Sequence, residues 1–237
     1  SYGSYGLPPG QSSFAVHALV VFSYFDGANY PKGGTAKIAN YIADVVSMAD
    51  GSIATKAEVK SIVVEKNKAV GVEMADGLVL RAPRIISNAG YKNTLQNLLP
   101  SSHKQTVVED KKRSAEIKGS AGHINLFIGL NGSAEELGLD DSSHWVHKHG
   151  DSDQQFDEYL QDYSKDFPFV FISSPSTKDP QWHKENPTIS TVTVIVPAAF
   201  AWFEKWQHAP WGKRGDDYEQ LKASFESRLI AVLHHHW

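Results

Sequence analysis

Apolar residues recur three and four positions apart in one stretch near the start of the chain, beginning at Thr35. This spacing predicts a helix with one apolar face. The positions on that face are Ile38, Tyr41, Ile42, Val45, Val46 and Ala49. Asp50-Gly51 follows and predicts the end of the helix, because glycine readily adopts the left-handed conformation found there.

A different pattern follows, in which β-branched residues and alternation predict three short strands. Val59 to Glu65 is rich in β-branched residues, and the apolar residues of Val70 to Met74 alternate with smaller or polar ones. Turn signals at Asn67 and Asp76-Gly77 separate these segments from a third, Leu78 to Ala82. The three segments therefore predict a β-meander.

Two further apolar segments flank these elements. Ser13 to Phe25 is rich in Val and Phe, and its periodicity leaves both a strand and a buried helix open. Ile85-Ile86 predicts a short buried strand. This strand leads into a helix that we expect to begin near Asn88 and to end before Pro100.

The second half of the chain predicts longer strands at Ile124 to Leu130, Phe169 to Ile172 and Thr188 to Pro197. A helix is expected within Asp151 to Tyr163, and another closes the chain. Asp217 and Gln220 predict a capping box for that last helix. Its expected buried face consists of Tyr218, Leu221, Phe225, Leu229 and Val232. Strands and helices without strict alternation indicate an α+β module rather than a parallel βαβ domain.

Composition narrows the function classes. The chain has 237 residues, 41% of them apolar and 21% charged, which is typical of a globular protein. Its formal net charge of −4 gives no reason to expect a nucleic-acid partner. The absence of cysteine excludes disulfides, thiolate nucleophiles and Cys-ligated metal sites. Because the chain begins at Ser1 and closes with a helical pattern, we expect an internal segment of a longer protein.

Gly33-Gly34 precedes the first predicted helix and has two interpretations. The pair can provide a tight helix entry without any ligand. Alternatively, the backbone N–H groups of the helix N-terminus can face a negative charge or an electron-rich ring edge. Spacing alone leaves both open.

Sequence motifs distributed over nearly the whole chain form a specific set. They are Tyr30 to Gly34, Ala57 to Ile62, Lys68 to Val72, Asp76-Gly77, Ile85 to Gly90, Glu136 to Leu139, Phe171 to Pro180, Trp202 to Trp206 and Lys213 to Gly215. This set resembles the phytoene desaturase and carotenoid isomerase family of FAD enzymes. Ser13 to Ala18, together with Gly27 to Pro31, narrows the resemblance to the retinol saturase branch.

The resemblance implies a mixed α+β and α/β fold, part of a two-domain FAD-dependent oxidoreductase. A discontinuous FAD-binding domain with a β-meander would contain residues 30–100, and residues 1–29 and 101–237 would belong to the substrate domain. No G-x-G-x-x-G follows a predicted strand, so the Rossmann βαβ unit is not found in this chain. We therefore assign no pyrophosphate contact to these residues.

The resemblance also implies cofactor contacts. Val59 matches the strand position whose main chain meets the adenine, and Gly33 and Gly34 match the loop beside the flavin. Asn88 and Ala89 match a strand end near the cofactor. Each has a structural alternative as well: Val59 can be a core residue, and Asn88 can be a helix cap.

The implied activity is saturation of a carbon–carbon double bond in all-trans-retinol or a related polyene, with FAD supplying the hydride and NAD or NADP as the possible electron source. An apolar channel is needed. Its candidate wall residues are Phe14, Val16, Phe127, Phe169, Phe171, Phe200, Trp202 and Phe203. No catalytic residue can be assigned, although Tyr24, Tyr30 and His17 lie near the glycine pair in sequence. The resemblance further implies peripheral association with an endoplasmic-reticulum membrane, and we expect the isolated segment to be inactive.

Other functions remain open at this point. A carotenoid desaturase or isomerase shares the family motifs, and a non-catalytic lipid-binding protein can use the same fold. An amine oxidase would share the glycine pair and meander but not Pro175 to Pro180. His144, His147 and His149 lie in a stretch that reads as a loop, and no H-E-x-x-H occurs there, so we predict no metal site. The absence of a G-x-S-x-G motif argues against a hydrolase.

Overall fold

The computed structural model describes residues 8–103 and 121–236, which belong to two compact units. One unit comprises Ser1–Ile42 and Ser120–Trp237, and the other comprises Ala43–Gly119. Each contains one antiparallel sheet, of four and three strands respectively. The expected mixture of helices and sheets is confirmed. The assignment of residues 30–100 to a cofactor domain stays a prediction.

The apolar run near the start of the chain forms helix α1 (Phe14–Phe22). The side chain of Ser13 accepts a hydrogen bond from the Val16 N–H and caps its N-terminus. The expectation of a buried element is wrong, because Phe14 and Phe22 are 83% and 66% exposed. A nine-residue helix that is apolar on all sides therefore lies at the surface.

The next helix, α2 (Ala36–Met48), follows the glycine pair as expected. It ends where Gly51 donates its N–H to the Val46 carbonyl, after Asp50 adopts a left-handed conformation. The predicted apolar stripe is present but solvent-exposed. Its exposed large residues are Ile38, Tyr41, Ile42 and Val45, and Met48 of the same helix is exposed as well.

Strands β1 (Val59–Glu65), β2 (Lys68–Met74) and β3 (Val79–Arg81) form the predicted meander in that order. Lys66 and Asn67 both have positive φ, 50° and 60°, which gives the tight two-residue hairpin turn. The strand boundaries agree closely with the sequence pattern because each segment is limited by its own turn signal.

The predicted strand at Ile85-Ile86 is wrong. No strand forms there within the described residues, and Ile86 is 92% exposed. Helix α3 (Tyr91–Asn93) follows and continues as one π-helical turn, Thr94–Leu98. Its N-cap is Gly90, so Asn88 is not a helix cap. A β-branched pair indicates a strand only if a neighbouring strand is present to bond it.

The larger sheet consists of β4 (Gly122–Asn131), β5 (Ser143–His147), β6 (Phe169–Ser173) and β7 (Ile189–Ala198). Its strand order is β4-β7-β6-β5. Three of these strands were predicted. The fourth, β5, corrects the interpretation of the histidine-containing stretch as a loop.

Helices α4 (Ser152–Gln161), α5 (Pro180–Glu185) and α6 (Asp216–His236) belong to the same unit. The predicted inward face of α6 is confirmed, with Phe225 and Leu229 fully buried. The predicted capping box is wrong, because α6 begins at Asp216 and Asp217 lies inside its first turn. There the Asp217 carboxylate accepts a hydrogen bond from the Trp206 indole N–H and pairs with Lys205.

One face of the larger sheet forms the hydrophobic core against α6. The buried residues of this core are Val170, Ile172, Val192, Val194, Val196 and Leu229. Since side chains alternate along a strand, the intervening residues of β6 and β7 point to the opposite face. At one end of that face, Phe169 packs against Phe156 of α4. Within the described residues, no helix is long and apolar enough to cross a membrane.

Candidate functional site

Beyond the end covered by α4, the second face of the larger sheet carries a row of residues in register. Asn125 pairs with Ile195, Ile195 with Phe171, and Phe171 with Trp145, so the row crosses all four strands. The rings of Trp145 and Phe171 lie 4.7 Å apart. The two rings are tilted to each other by 56° and form an aromatic surface next to the aliphatic Ile195.

This surface is the floor of an open cavity of about 840 Å³, which we call the sheet cavity. Its volume is in the range that accommodates small organic ligands. The apolar residues that line it are Ala28, Trp145, Phe169, Phe171 and Ile195. The polar residues that line it are Tyr24, Asn29, Tyr30, His123, Asn125, Asp141, Ser142, Ser143 and Lys178. The lining therefore combines an apolar surface with a larger number of polar side chains.

Two of the predicted channel residues, Phe169 and Phe171, line the sheet cavity. Phe127 lies on the same sheet face but outside the lining, and its side chain is 75% exposed. Trp202 instead packs edge-on against Tyr159, with their ring centroids 5.2 Å apart. Phe14, Val16, Phe200 and Phe203 are not part of the lining either.

Sequence reasoning missed Trp145 and Ile195. Trp145 lies on β5, which was not predicted as a strand because polar residues flank Trp145 and Val146. Ile195 lies in a predicted strand, and the alternation of β7 could have assigned it to the face opposite Val194 and Val196. The sequence pattern could therefore have identified Ile195, but it contained no strand signal for Trp145.

Lys178 is the lysine of the sheet cavity. It ends the 3₁₀ turn Pro175–Lys178 that follows β6. Its Nζ donates hydrogen bonds to Ser143 Oγ at 2.8 Å and to Ser173 Oγ at 2.7 Å. These two serines are paired across β5 and β6, so the side chain is held against the sheet.

A second open cavity, of about 800 Å³, lies beside the glycine pair. Gly33, Gly34, Asp179 and Trp182 contribute to its lining. Tyr30 lines both this glycine cavity and the sheet cavity. The two cavities are thus neighbours that meet at one tyrosine.

The backbone of the glycine pair is already bonded within the protein. Gly33 donates its N–H to Asp179 Oδ1 at 3.0 Å, and Gly34 donates its N–H to the Pro31 carbonyl at 3.0 Å. Both glycines have a φ of 85°, which other residues adopt only with strain. The hydrogen bond from Gly33 is the main cause that lowers the pKa of Asp179 below its ordinary value.

The structure describes all five residues that are predicted to contact a flavin. Val59 begins β1, which is an edge strand of its sheet. A Cβ at Gly34 would have no described atom within 4 Å, which leaves room for a ring edge. The Gly33 N–H is bonded to a carboxylate and does not provide a phosphate site. The Gly33 N–H is therefore not available to a phosphate group while this hydrogen bond is present.

Asn88 and Ala89 lie between β3 and α3, in the unit that also contains Val59. The Ala89 carbonyl accepts a hydrogen bond from the Asn93 side chain at 3.3 Å. Gly33 and Gly34 lie in the other unit. The role of all five residues toward a flavin stays a prediction.

Of the three residues that lie near the glycine pair in sequence, Tyr24 and Tyr30 line the sheet cavity, and His17 does not. His123 also lines it and was not considered. The lining of the sheet cavity therefore includes two tyrosines and one histidine.

The histidines of β5 have separate environments. His144 Nε2 lies 3.1 Å from Asp140 Oδ1, whereas burial lowers the pKa of His147. Because the two residues are three positions apart on a strand, their side chains leave opposite faces of the sheet. No group of three or more possible metal ligands occurs in residues 8–103 and 121–236.

No family model matches the chain. Over 238 residues it is 38% identical to the all-trans-retinol 13,14-reductase of Rattus norvegicus, covering 97% of this chain and 39% of the relative. The human protein of the same name is 35% identical over 240 residues, covering 98% and 39%. These homologues confirm the resemblance to the retinol saturase branch. The chain thus spans about 39% of the length of these relatives.

Carotenoid enzymes are more distant relatives. The prolycopene isomerase of Arabidopsis thaliana chloroplasts is 28% identical over 211 residues, covering 89% of this chain and 32% of the relative. The family resemblance therefore extends beyond the retinol reductases to enzymes named for other polyenes.

Proposed function

We propose, from homology to all-trans-retinol 13,14-reductases over nearly the whole chain, that this chain is part of an oxidoreductase acting on a polyene. The proposed reaction saturates one carbon–carbon double bond of all-trans-retinol or a related molecule. The observation that carries the proposal is the sheet cavity, with its aromatic floor and polar rim beside the glycine pair. A conjugated chain is apolar, and the side chains of Trp145, Phe171 and Ile195 offer it an apolar contact surface.

In this proposal, the residues of the chain bind and orient the polyene and exclude water from it. Trp145, Phe171 and Ile195 contact the conjugated chain, and burying that surface stabilises the complex by the hydrophobic effect. FAD, when bound, supplies hydride chemistry, and NAD or NADP is the proposed electron source. Gly34, Val59, Asn88 and Ala89 are the proposed neighbours of the FAD rings.

Saturation also needs a proton for the second carbon of the double bond. Tyr24 and Tyr30 line the sheet cavity, and we propose the phenol hydroxyl of one of them as the proton source. Tyr30 is the more favourable candidate because it also lines the cavity of the glycine pair. Since such a substrate partitions into lipid, the complete protein is proposed to act peripherally at an endoplasmic-reticulum membrane.

A product assay on the full-length protein tests the reaction. The protein is incubated with all-trans-retinol, FAD and a reduced nicotinamide, and the product is analysed by absorbance and mass spectrometry. The expected product has gained two hydrogens and lost one conjugated double bond. Recovery of unchanged retinol under all of these conditions would contradict the proposal.

A matched pair of variants tests the location of the reaction. Phe171→Ala removes part of the cavity floor and is expected to lower kcat/KM by about tenfold or more, since part of the apolar contact is lost. Phe200→Ala removes a side chain that is 63% exposed and outside the lining, and it is expected to leave kcat/KM unchanged. Equal effects of the two substitutions would argue against the sheet cavity.

The carotenoid relatives favour a second candidate, a carotenoid isomerase or desaturase. The same product assay, performed with a linear carotenoid, separates the alternatives. An isomerase leaves the mass unchanged and alters retention time, and a desaturase removes two hydrogens. A non-catalytic lipid-binding protein would bind the polyene and return it unchanged.

A further inference from the structure

Lys178 is placed where an apolar ligand of the sheet cavity would need a polar contact. Its side chain lines the cavity, and both of its hydrogen-bond acceptors are serine hydroxyls, Ser143 Oγ and Ser173 Oγ. Over residues 8–103 and 121–236, it forms no ion pair with a carboxylate. Its ammonium group is thus held by neutral partners.

The two serines leave one N–H group of the Lys178 ammonium available to a ligand. An ammonium group carries three N–H donors, and the two serines accept two of them. Ser143 and Ser173 are opposite each other on β5 and β6, so they fix the position of Nζ at the edge of the aromatic floor. The remaining N–H can donate to an oxygen atom of a ligand in the cavity.

Lys178 is also joined to the glycine pair by its neighbour in sequence. Asp179 accepts the Gly33 N–H, and the Pro175–Lys178 turn ends immediately before it. The ammonium group thus belongs to the residue that directly precedes the partner of the glycine loop.

We propose that Lys178 binds the terminal oxygen of the polyene and thereby selects which double bond is reduced. This inference rests on the proposed function and names the recognition element of the same site. Retinol has a single oxygen atom, bonded to the carbon next to C14. Anchoring that oxygen holds the C13–C14 bond, which the names of the relatives specify, at a fixed distance from Lys178.

A binding series with three ligands tests the anchor on the full-length protein. The ligands are all-trans-retinol, all-trans-retinoic acid, and the hydrocarbon in which a methyl group replaces the hydroxymethyl end. Quenching of tryptophan fluorescence reports binding, since Trp145 lines the cavity. The wild-type protein is expected to bind retinol about tenfold more tightly than the hydrocarbon, as a hydrogen bond to a charged donor predicts.

Substitutions assign this preference to Lys178. Lys178→Met is expected to weaken retinol binding about tenfold, to weaken retinoic acid binding further, and to leave hydrocarbon binding unchanged. Lys178→Arg keeps a charged donor and is expected to restore most of the preference for oxygenated ligands. Lys184→Met is the matched control, because Lys184 is exposed on α5 and does not line the cavity. It is expected to change none of the three affinities.

Two results would overturn the anchor and leave the proposed function intact, provided that the protein still reduces retinol. One is an equal affinity of the wild-type protein for retinol and the hydrocarbon. The other is an equal loss for all three ligands in Lys178→Met, which would indicate a structural role. If the wild-type protein neither binds nor reduces retinol, both proposals fail. Should Lys178→Met not fold, Lys178→Gln replaces it in the same series.

Discussion

Asp179 contacts the glycine loop and also caps a helix. Its Oδ1 accepts the Gly33 N–H at 3.0 Å and the Gln181 N–H at 3.0 Å, and the latter is an N-terminal donor of α5. The residue is 7% exposed. The carboxylate therefore links the glycine loop to the N-terminus of α5.

The prediction at this residue concerns the pH dependence of stability. Because the folded-state pKa of Asp179 is lowered, its carboxylate stabilises the fold above the unfolded-state pKa of about 4 and loses this effect as pH falls through the folded-state pKa. Asp179→Asn removes the charge. It is expected to lower the melting temperature by a few degrees at pH 7, and the difference from wild type should shrink below about pH 5.

Asp157→Asn is the matched control, since Asp157 is exposed on α4. Thermal unfolding followed by circular dichroism at several pH values provides the measurement. A difference between wild type and Asp179→Asn that stays constant from neutral to acidic pH would contradict this account.

Sequence reasoning reached the glycine pair but not its partner. A helix entry was predicted, and α2 does follow Gly33 and Gly34. Asp179 is separated from Gly33 by 146 positions, and no local pattern connects them. The hydrogen bond from the Gly33 N–H to Asp179 therefore could not be predicted from the local sequence pattern.

The meander β1–β3 shows how far local pattern can determine an element. Gly71 of β2 is buried, and a Cβ there would lie 2.4 Å from the Leu80 carbonyl oxygen. The close approach of β2 and β3 thus requires glycine. By contrast, a Cβ at Gly129 of β4 would have no described atom within 4 Å.

The prediction for this element compares two substitutions. Gly71→Ala is expected to lower the free energy of unfolding by about 1–3 kcal/mol, because the added methyl group pushes β3 away. Gly129→Ala, also in a strand, is expected to change it far less. Urea unfolding of both variants measures the difference. Equal free energies of unfolding for the two variants would contradict the prediction, because β3 would then accommodate the methyl group at no cost in stability.

Elements with their own turn signals were predicted well, and elements that depend on distant partners were not. β1 has the predicted boundaries because its residues are β-branched and a hairpin turn follows. β5 was missed because its sequence, Ser-His-Trp-Val-His, has no apolar run, and its pairing with β6 makes it a strand. Ile85-Ile86 is the reverse case, an apolar pair without a bonded neighbour.

Several apolar segments are exposed at the surface of the part of the chain that the structure describes. Helix α1, the stripe of α2 and Ile86 are all exposed. Sequence patterns identified these segments as apolar but predicted burial, which depends on the surrounding chain. The chain spans about 39% of the length of the retinol reductases it resembles.

At this scale we expect the isolated 237-residue chain to show no stable FAD binding and no turnover. No glycine fingerprint follows a strand in the sequence, and the Gly33 N–H is bonded to Asp179. Titration of the chain with FAD, followed by gel filtration and absorbance, measures retention. A flavin that stays bound through the column would contradict the prediction.

The central claim is that a polyene lies on the open face of the larger sheet, and photoaffinity labelling of the full-length protein tests it most directly. A retinol analogue with a photoreactive group on its chain is irradiated in the complex, and labelled peptides are identified by mass spectrometry. The predicted labels fall on Trp145, Phe171 and Ile195 and disappear with excess retinol. Labels confined to Arg228 and Val232 of α6, or labels that excess retinol does not reduce, would contradict the claim.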